Sequence, residues 1–161
     1  MLLTIKEMNS DYAHHIASWQ YPPPYELYSM DGSQETIQEL LEGNYYVALK
    51  DEAIYGYFCY GAGARVPGGY DAGIYDDKSL VDIGLGLHPN NTGKGLGMPF
   101  LLEMMHFLKT QLNPCAFQLV VATFNERAIN VYKKVGFQPQ QTFMSPVNGK
   151  PIEFLYMVCN V

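Results

Sequence analysis

The stretch Leu87-His88-Pro89-Asn90-Asn91-Thr92-Gly93-Lys94-Gly95-Leu96-Gly97 decides the fold. Before it, Leu80 to His88 reads as a strand, and Pro89 stops it because proline brings no N–H to a ladder. After it, Leu101, Met105, Leu108 and Leu112 recur at the spacing of one helix face, which predicts a helix over Leu96 to Leu112. Three alternate glycines lie between. N–H groups at a helix start have no internal partner, and the helix dipole adds positive potential there. Strand, glycine loop and helix in that order therefore make an anion site, and glycine lets a bulky phosphate approach the backbone. The predicted ligand is a phosphate or diphosphate. A glycine-rich turn without a ligand fits the loop composition equally well.

Residue order argues against two phosphate motifs, and with them a nucleotide-binding protein. A P-loop needs Ser or Thr after Gly-Lys, but Gly95 follows Lys94. A dinucleotide fingerprint counted from Gly93 needs a glycine where Met98 stands.

A second informative segment runs from Asn125 to Phe137. Ala128, Val131, Tyr132 and Val135 share one helix face, and Gly136 ends the helix. From these residues alone, Asn125 is an N-cap, Ala128 a small core contact and Tyr132 a core tyrosine with its hydroxyl bonded to backbone. Lys133 and Lys134 read as a solvated face.

The remaining elements follow from local signals. Leu2 to Met8 reads as a strand. Ser10 caps a helix over Asp11 to Trp19, and Ser33 caps a second that ends near Gly43. Tyr21-Pro22-Pro23-Pro24-Tyr25 must be an extended loop. Tyr45 to Lys50 and Ala53 to Tyr60 form a hairpin across Asp51-Glu52. Gly61 to Ser79 reads as a loop and Cys115 to Thr123 as a buried strand. Phe137 to Met144 and Ile152 to Val158 are strands joined through the turn signal Asn148-Gly149. The order β-α-α-β-β-β-α-β-α-β-β predicts one α/β domain over residues 1–161, a mixed sheet with helices packed on it.

Composition narrows the function classes. With 48% hydrophobic and 16% charged residues the chain is globular rather than disordered. A net charge of -6 with scattered Lys and Arg leaves no footprint for a nucleic-acid backbone and can attract a cation. Cys59, Cys115 and Cys159 are far apart and match no zinc spacing, nor do His14, His15, His88 and His106, so no metal is expected. Met1 to Tyr12 lacks the pattern of a signal peptide, and no apolar run is long enough for a bilayer. A cytoplasmic protein is expected.

Together the two segments resemble the cofactor motifs of the GNAT superfamily of N-acetyltransferases. The first family motif reads Gln/Arg-x-x-Gly-x-Gly/Ala after a strand ending in Val-x-Pro. Leu87-His88-Pro89, Gly95 and Gly97 match it, while Thr92 stands where Gln or Arg is usual. The second reads Asn-x-x-Ala-x-x-x-Tyr-x-x-x-Gly-Phe and is matched by Asn125, Ala128, Tyr132, Gly136 and Phe137. The resemblance spans Val81 to the C-terminus by motif and the first half by element order. It implies a GNAT acyl-CoA N-acyltransferase fold, a mixed central sheet with splayed parallel strands and flanking helices. Acetyl-CoA would be held by Leu85, Leu87, Thr92, Gly93, Lys94, Gly95, Leu96, Gly97, Asn125, Ala128 and Tyr132. Tyr132 would be the general acid, and Asp82 a base acting directly or through water. A primary amine would attack the thioester in a ternary complex. The alternative is a catalytically silent acetyl-CoA-binding domain serving as sensor or scaffold. The family places the acceptor against regions that here hold Trp19, Tyr21, Tyr25, Tyr28, Tyr70, Asp71, Tyr75, Asp76, Asp77 and Asp82. Aromatic faces and carboxylates predict a cationic primary amine. A monomer or a homodimer is expected.

Overall fold

The computed structural model describes residues 2–161; Met1 lies outside them. The strands are β1 (Thr4–Glu7), β2 (Asn44–Lys50), β3 (Ala53–Tyr60), β4 (Leu80–Leu87), β5 (Ala116–Ala122), β6 (Gln138–Val147) and β7 (Lys150–Asn160). They form one sheet in the order β1-β2-β3-β4-β5-β7-β6. The helices are α1 (Ser10–Ala17), α2 (Gln34–Glu42), α3 (Pro67–Asp71), α4 (Gly97–Leu112) and α5 (Glu126–Val135).

Each element answers to a local cause. Asn9 rather than Ser10 caps α1, its side chain accepting from the Tyr12 N–H at 2.9 Å. Either side chain suits the position, and the shift by one residue puts Ser10 inside the first turn. Ser33 caps α2 as expected, accepting from the Thr36 N–H. The hairpin between β2 and β3 turns on Asp51 and Glu52, both at positive φ, and that between β6 and β7 on Asn148 and Gly149 in the same conformation. The expected loop from Gly61 to Ser79 contains a short 3₁₀ turn over Gly61–Ala64 and the five-residue helix α3, which starts on Pro67.

Two apolar layers cover the sheet. On one face Ile83, Phe58, Phe117, Leu119 and Met157 pack with Phe100, Leu101, Met104 and Leu108 of α4, and α5 leans against this cluster through Ala128, Val131 and Tyr132. On the other, Ala13, Ile16 and Ala17 of α1 and Ile37 and Leu40 of α2 cover Val47 and Leu49. Among the described residues no helix is long and apolar enough to cross a membrane.

The parallel pair β4–β5 positions the site. It is paired over only three steps, Leu80 to Ala116, Val81 to Phe117 and Asp82 to Gln118. Beyond Asp82, β4 stays paired to β3 on one side, and β5 stays paired to β7 on its far side as far as Ala122. The two strands therefore fork, and the fork opens toward Leu87 and the glycine loop.

Candidate active site

The fork leaves half a ladder exposed. The His88 N–H donates to the Tyr55 carbonyl at 2.9 Å, which makes the facing pair Leu87 and Gly56 a non-hydrogen-bonded one. Alternation then turns the N–H and C=O of Leu85 and Leu87 away from β3 and into the fork. The Leu87 carbonyl is already taken there by the Tyr21 hydroxyl, which donates to it at 2.7 Å.

A cleft of about 390 Å³ fills the fork. Its floor is β4 from Ile83 to Leu87 and β5 from Leu119 to Val121; its end is Thr92, Gly93, Gly95, Leu96 and Gly97; α5 closes one side with Asn125, Ala128, Val131 and Tyr132. The chain between α1 and α2 roofs it with Tyr21, Tyr25 and Tyr28. Of the cofactor residues expected from the sequence, all but Lys94 line this one cleft; Lys94 is exposed.

The glycine loop has the form an anion requires. Gly93 and Gly95 both sit at positive φ, 71° and 73°, which L side chains rarely adopt, and nothing lies within 4 Å of the place a side chain on Gly95 would take. Leu96 precedes α4 without any side-chain cap, so the N–H groups of its first turn are free to meet a ligand. The Thr92 hydroxyl is engaged within the loop. It donates to the Pro89 carbonyl at 2.9 Å and braces the loop internally. The loop and the exposed strand edge thus fit an elongated ligand with a diphosphate at one end and amide groups along its length, as in acetyl-CoA.

Opposite the loop, Asn125 caps α5 and bonds to the roof. Its Oδ1 accepts from the Ala128 N–H as an N-cap, and its Nδ2 donates to the Tyr28 hydroxyl at 3.2 Å. Tyr132 is partly buried among α5 and the core, with its ring against Phe137 at 5.9 Å. Burial pushes its phenol well above the usual tyrosine range, and the nearby Tyr28 adds to this. Such a hydroxyl stays protonated and can donate a proton.

Other expected site residues lie elsewhere. Asp82 is only 4% exposed and both its oxygens are engaged: Arg65 Nε donates to Oδ2 at 2.8 Å and Gln118 Nε2 to Oδ1 at 2.7 Å. It sits at the branch of the fork, on the opposite strand face from Leu85 and Leu87, and does not line the cleft. Gln118 also donates to the Ile74 carbonyl and accepts from the Tyr156 hydroxyl, so the branch is a closed polar knot. Trp19 is buried between Tyr57 and His88, with ring centroids 5.8 and 5.0 Å away. Tyr75 is buried and its hydroxyl accepts from the Val66 N–H. Asp77 accepts from the backbone and hydroxyl of Ser79, bonds that hold its carboxyl below the usual range. Asp71, Asp76 and Tyr70 do not reach the cleft either. Among the described residues no carboxylate lines this cleft, and no group of side chains is arranged to hold a metal.

Among the lining residues that the sequence reading missed, Arg127 is the charged one. Arg127 projects from the first turn of α5 beside Gly93, and its guanidinium lies 4.3 Å from the centre of the Tyr25 ring. The available signal was its place two residues after Asn125, across from an anion loop.

Comparison with known proteins agrees with this geometry. The model of the acetyltransferase (GNAT) family matches residues 11–137. No curated protein matches the chain in sequence. Among solved structures, an acetyltransferase (GNAT family) from Bacillus anthracis is similar at TM-score 0.74 and 12% identity, over 98% of this chain and 94% of that one. The structure of AAC(6')-Ib in complex with ribostamycin and coenzyme A gives TM-score 0.74 and 20% identity, over 98% and 93%. The spermidine/spermine N-acetyltransferase SpeG from Vibrio cholerae gives 0.70 and 16%, over 99% and 95%. These identities bear on the fold alone. With a family match over most of its length and a forked β4–β5 pair ending in a glycine loop, this chain belongs to the GNAT acetyltransferase family.

Proposed function

We propose that the protein transfers the acetyl group of acetyl-CoA to a primary amine by direct attack in a ternary complex. The observation that carries this is the fork itself. One cleft joins the glycine loop, an exposed strand edge and Tyr132. Leu85 would pair with the amides of the pantetheine arm, and the Leu87 N–H, free on the fork side, would hold the thioester oxygen as it gains charge. The amine nitrogen attacks the carbonyl carbon and the C–S bond breaks. Tyr132 gives its proton to the departing thiolate and is reprotonated from solvent. The attacking amine loses its own proton to water, because Asp82 is held by Arg65 and Gln118 away from the cleft.

For the acceptor the cleft offers the rings of Tyr21, Tyr25, Tyr28 and Tyr57 rather than carboxylates. Selection of a cationic amine would rest on aromatic faces and on the overall charge of -6. The test is thiol release from acetyl-CoA with a panel of cationic, neutral and acidic amines at low and high salt. Turnover with at least one primary amine is expected. Tight acetyl-CoA binding with no release on any amine would point instead to the silent sensor. A cationic preference that ignores salt would mean recognition by ring faces at close range rather than by the net charge.

A further inference from the structure

Arg127 is unexplained by the family motif, and three observations converge on it. First, the side chain at position 92, where a Gln or Arg is usual, is a threonine turned back onto the Pro89 carbonyl. The loop therefore has backbone donors but no side-chain cation of its own lining the cleft, since Lys94 is exposed and is not among the lining residues. Second, Arg127 stands across the cleft at the same loop: a Cβ built on Gly93 would lie 3.1 Å from its Nη1. Third, its charge has no counter-ion. Among the described residues the ion pair is Arg65 with Asp82, and no carboxylate lines the cleft. The contact holding the guanidinium is the face of Tyr25, which orients a planar cation and leaves its N–H edges free to donate.

We propose that Arg127 binds the diphosphate of the CoA substrate, supplying from α5 the side-chain contact that Thr92 cannot make from the loop. This rests on the acetyl-CoA reading above. A guanidinium offers a fixed fork of donors that suits phosphate oxygens, and such charge-assisted bonds are stronger than neutral ones. The Tyr25 stack gives the residue a second consequence. Tyr25 belongs to the chain between α1 and α2 that roofs the cleft, so a phosphate that fixes Arg127 also steadies the roof on the acceptor side.

The experiment measures binding by calorimetry for wild type, Arg127→Met and Arg127→Lys with two ligands, CoA and pantetheine, which lacks the diphosphate. Folding is checked by thermal melting. Arg127→Met should bind CoA on the order of 10- to 100-fold more weakly, the range for a hydrogen bond between charged groups, with pantetheine affinity unchanged. Arg127→Lys should recover part of the loss, as a point charge without the fork. Equal weakening of both ligands, or unchanged CoA affinity in Arg127→Met, overturns the proposal. Wild type that binds neither ligand would sink the acetyl-CoA reading itself, a separate result.

Discussion

The two ends of β4 are built from one continuous strand and do opposite things. From Leu80 to Asp82 it is zipped to β5, and the last rung is sealed by Arg65, Gln118 and Tyr156, with no polar atom left over. From Ile83 to Leu87 the same strand keeps β3 but has lost β5, and it turns backbone groups into a cleft. Buried backbone groups without partners are costly, so the open end is stable only because water or a ligand reaches it. The closed end fixes where the opening begins. The contrast separates residues that hold the fork from residues that use it.

The largest expected effect falls on the closed end. Asp82→Ala leaves the half-buried Arg65 without its carboxylate and Gln118 without an acceptor. Breaking a buried pair costs about 3–5 kcal/mol, and the partial exposure of Arg65 puts this case near 3. At this chain length that is a fall in Tm of roughly 10 °C. Calorimetric melting checks it. A variant that melts like wild type while losing turnover would make Asp82 catalytic after all.

The next effect is at the open end. Tyr132→Phe should lower kcat by about 10²-fold or more with CoA affinity and Tm little changed, the pattern of a lost proton donor. Because its pKa is raised, Tyr132 stays protonated beyond pH 10, where an ordinary tyrosine ionises. The Tyr132-dependent part of kcat should therefore persist through that pH; a drop there, or an unchanged kcat when chemistry limits turnover, would return Tyr132 to the core.

A smaller change is expected in the loop. Gly95→Val has room for its side chain but not for its backbone, which lies at φ 73°. A left-handed conformation costs an L residue about 1–2 kcal/mol, so the loop relaxes and CoA binding weakens by roughly tenfold. Equal affinity by calorimetry would remove the backbone cradle from this account.

What the sequence revealed divides along the same line. Features of the open end are local: three alternate glycines, an N-cap and a tyrosine one helical face away are all read within short windows, and the structure gathers them into one cleft. Features of the closed end depend on distant partners. Asp82 reads as a strand-end carboxylate until Arg65, Gln118 and Tyr156 come together around it. The helix α3 was hidden for a similar reason. Its glycines suggest a loop, yet a Cβ on Gly68 would clash with the Met144 carbonyl, so glycine there answers to close packing against β6. The acidic residues near α3 are expected at the acceptor from the family's layout, and their side chains are spent on turns or lie outside the cleft.

The burial of Trp19 has a practical consequence. It is the only tryptophan in the chain, and its ring packs against Tyr57, which lines the cleft, and against His88, the residue that opens the glycine loop. Any ligand that shifts either ring changes the surroundings of a single indole whose emission can be excited apart from the thirteen tyrosines. The protein thus carries its own optical gauge of cleft occupancy, fixed in the hydrophobic interior, where no dye or tag needs to be attached.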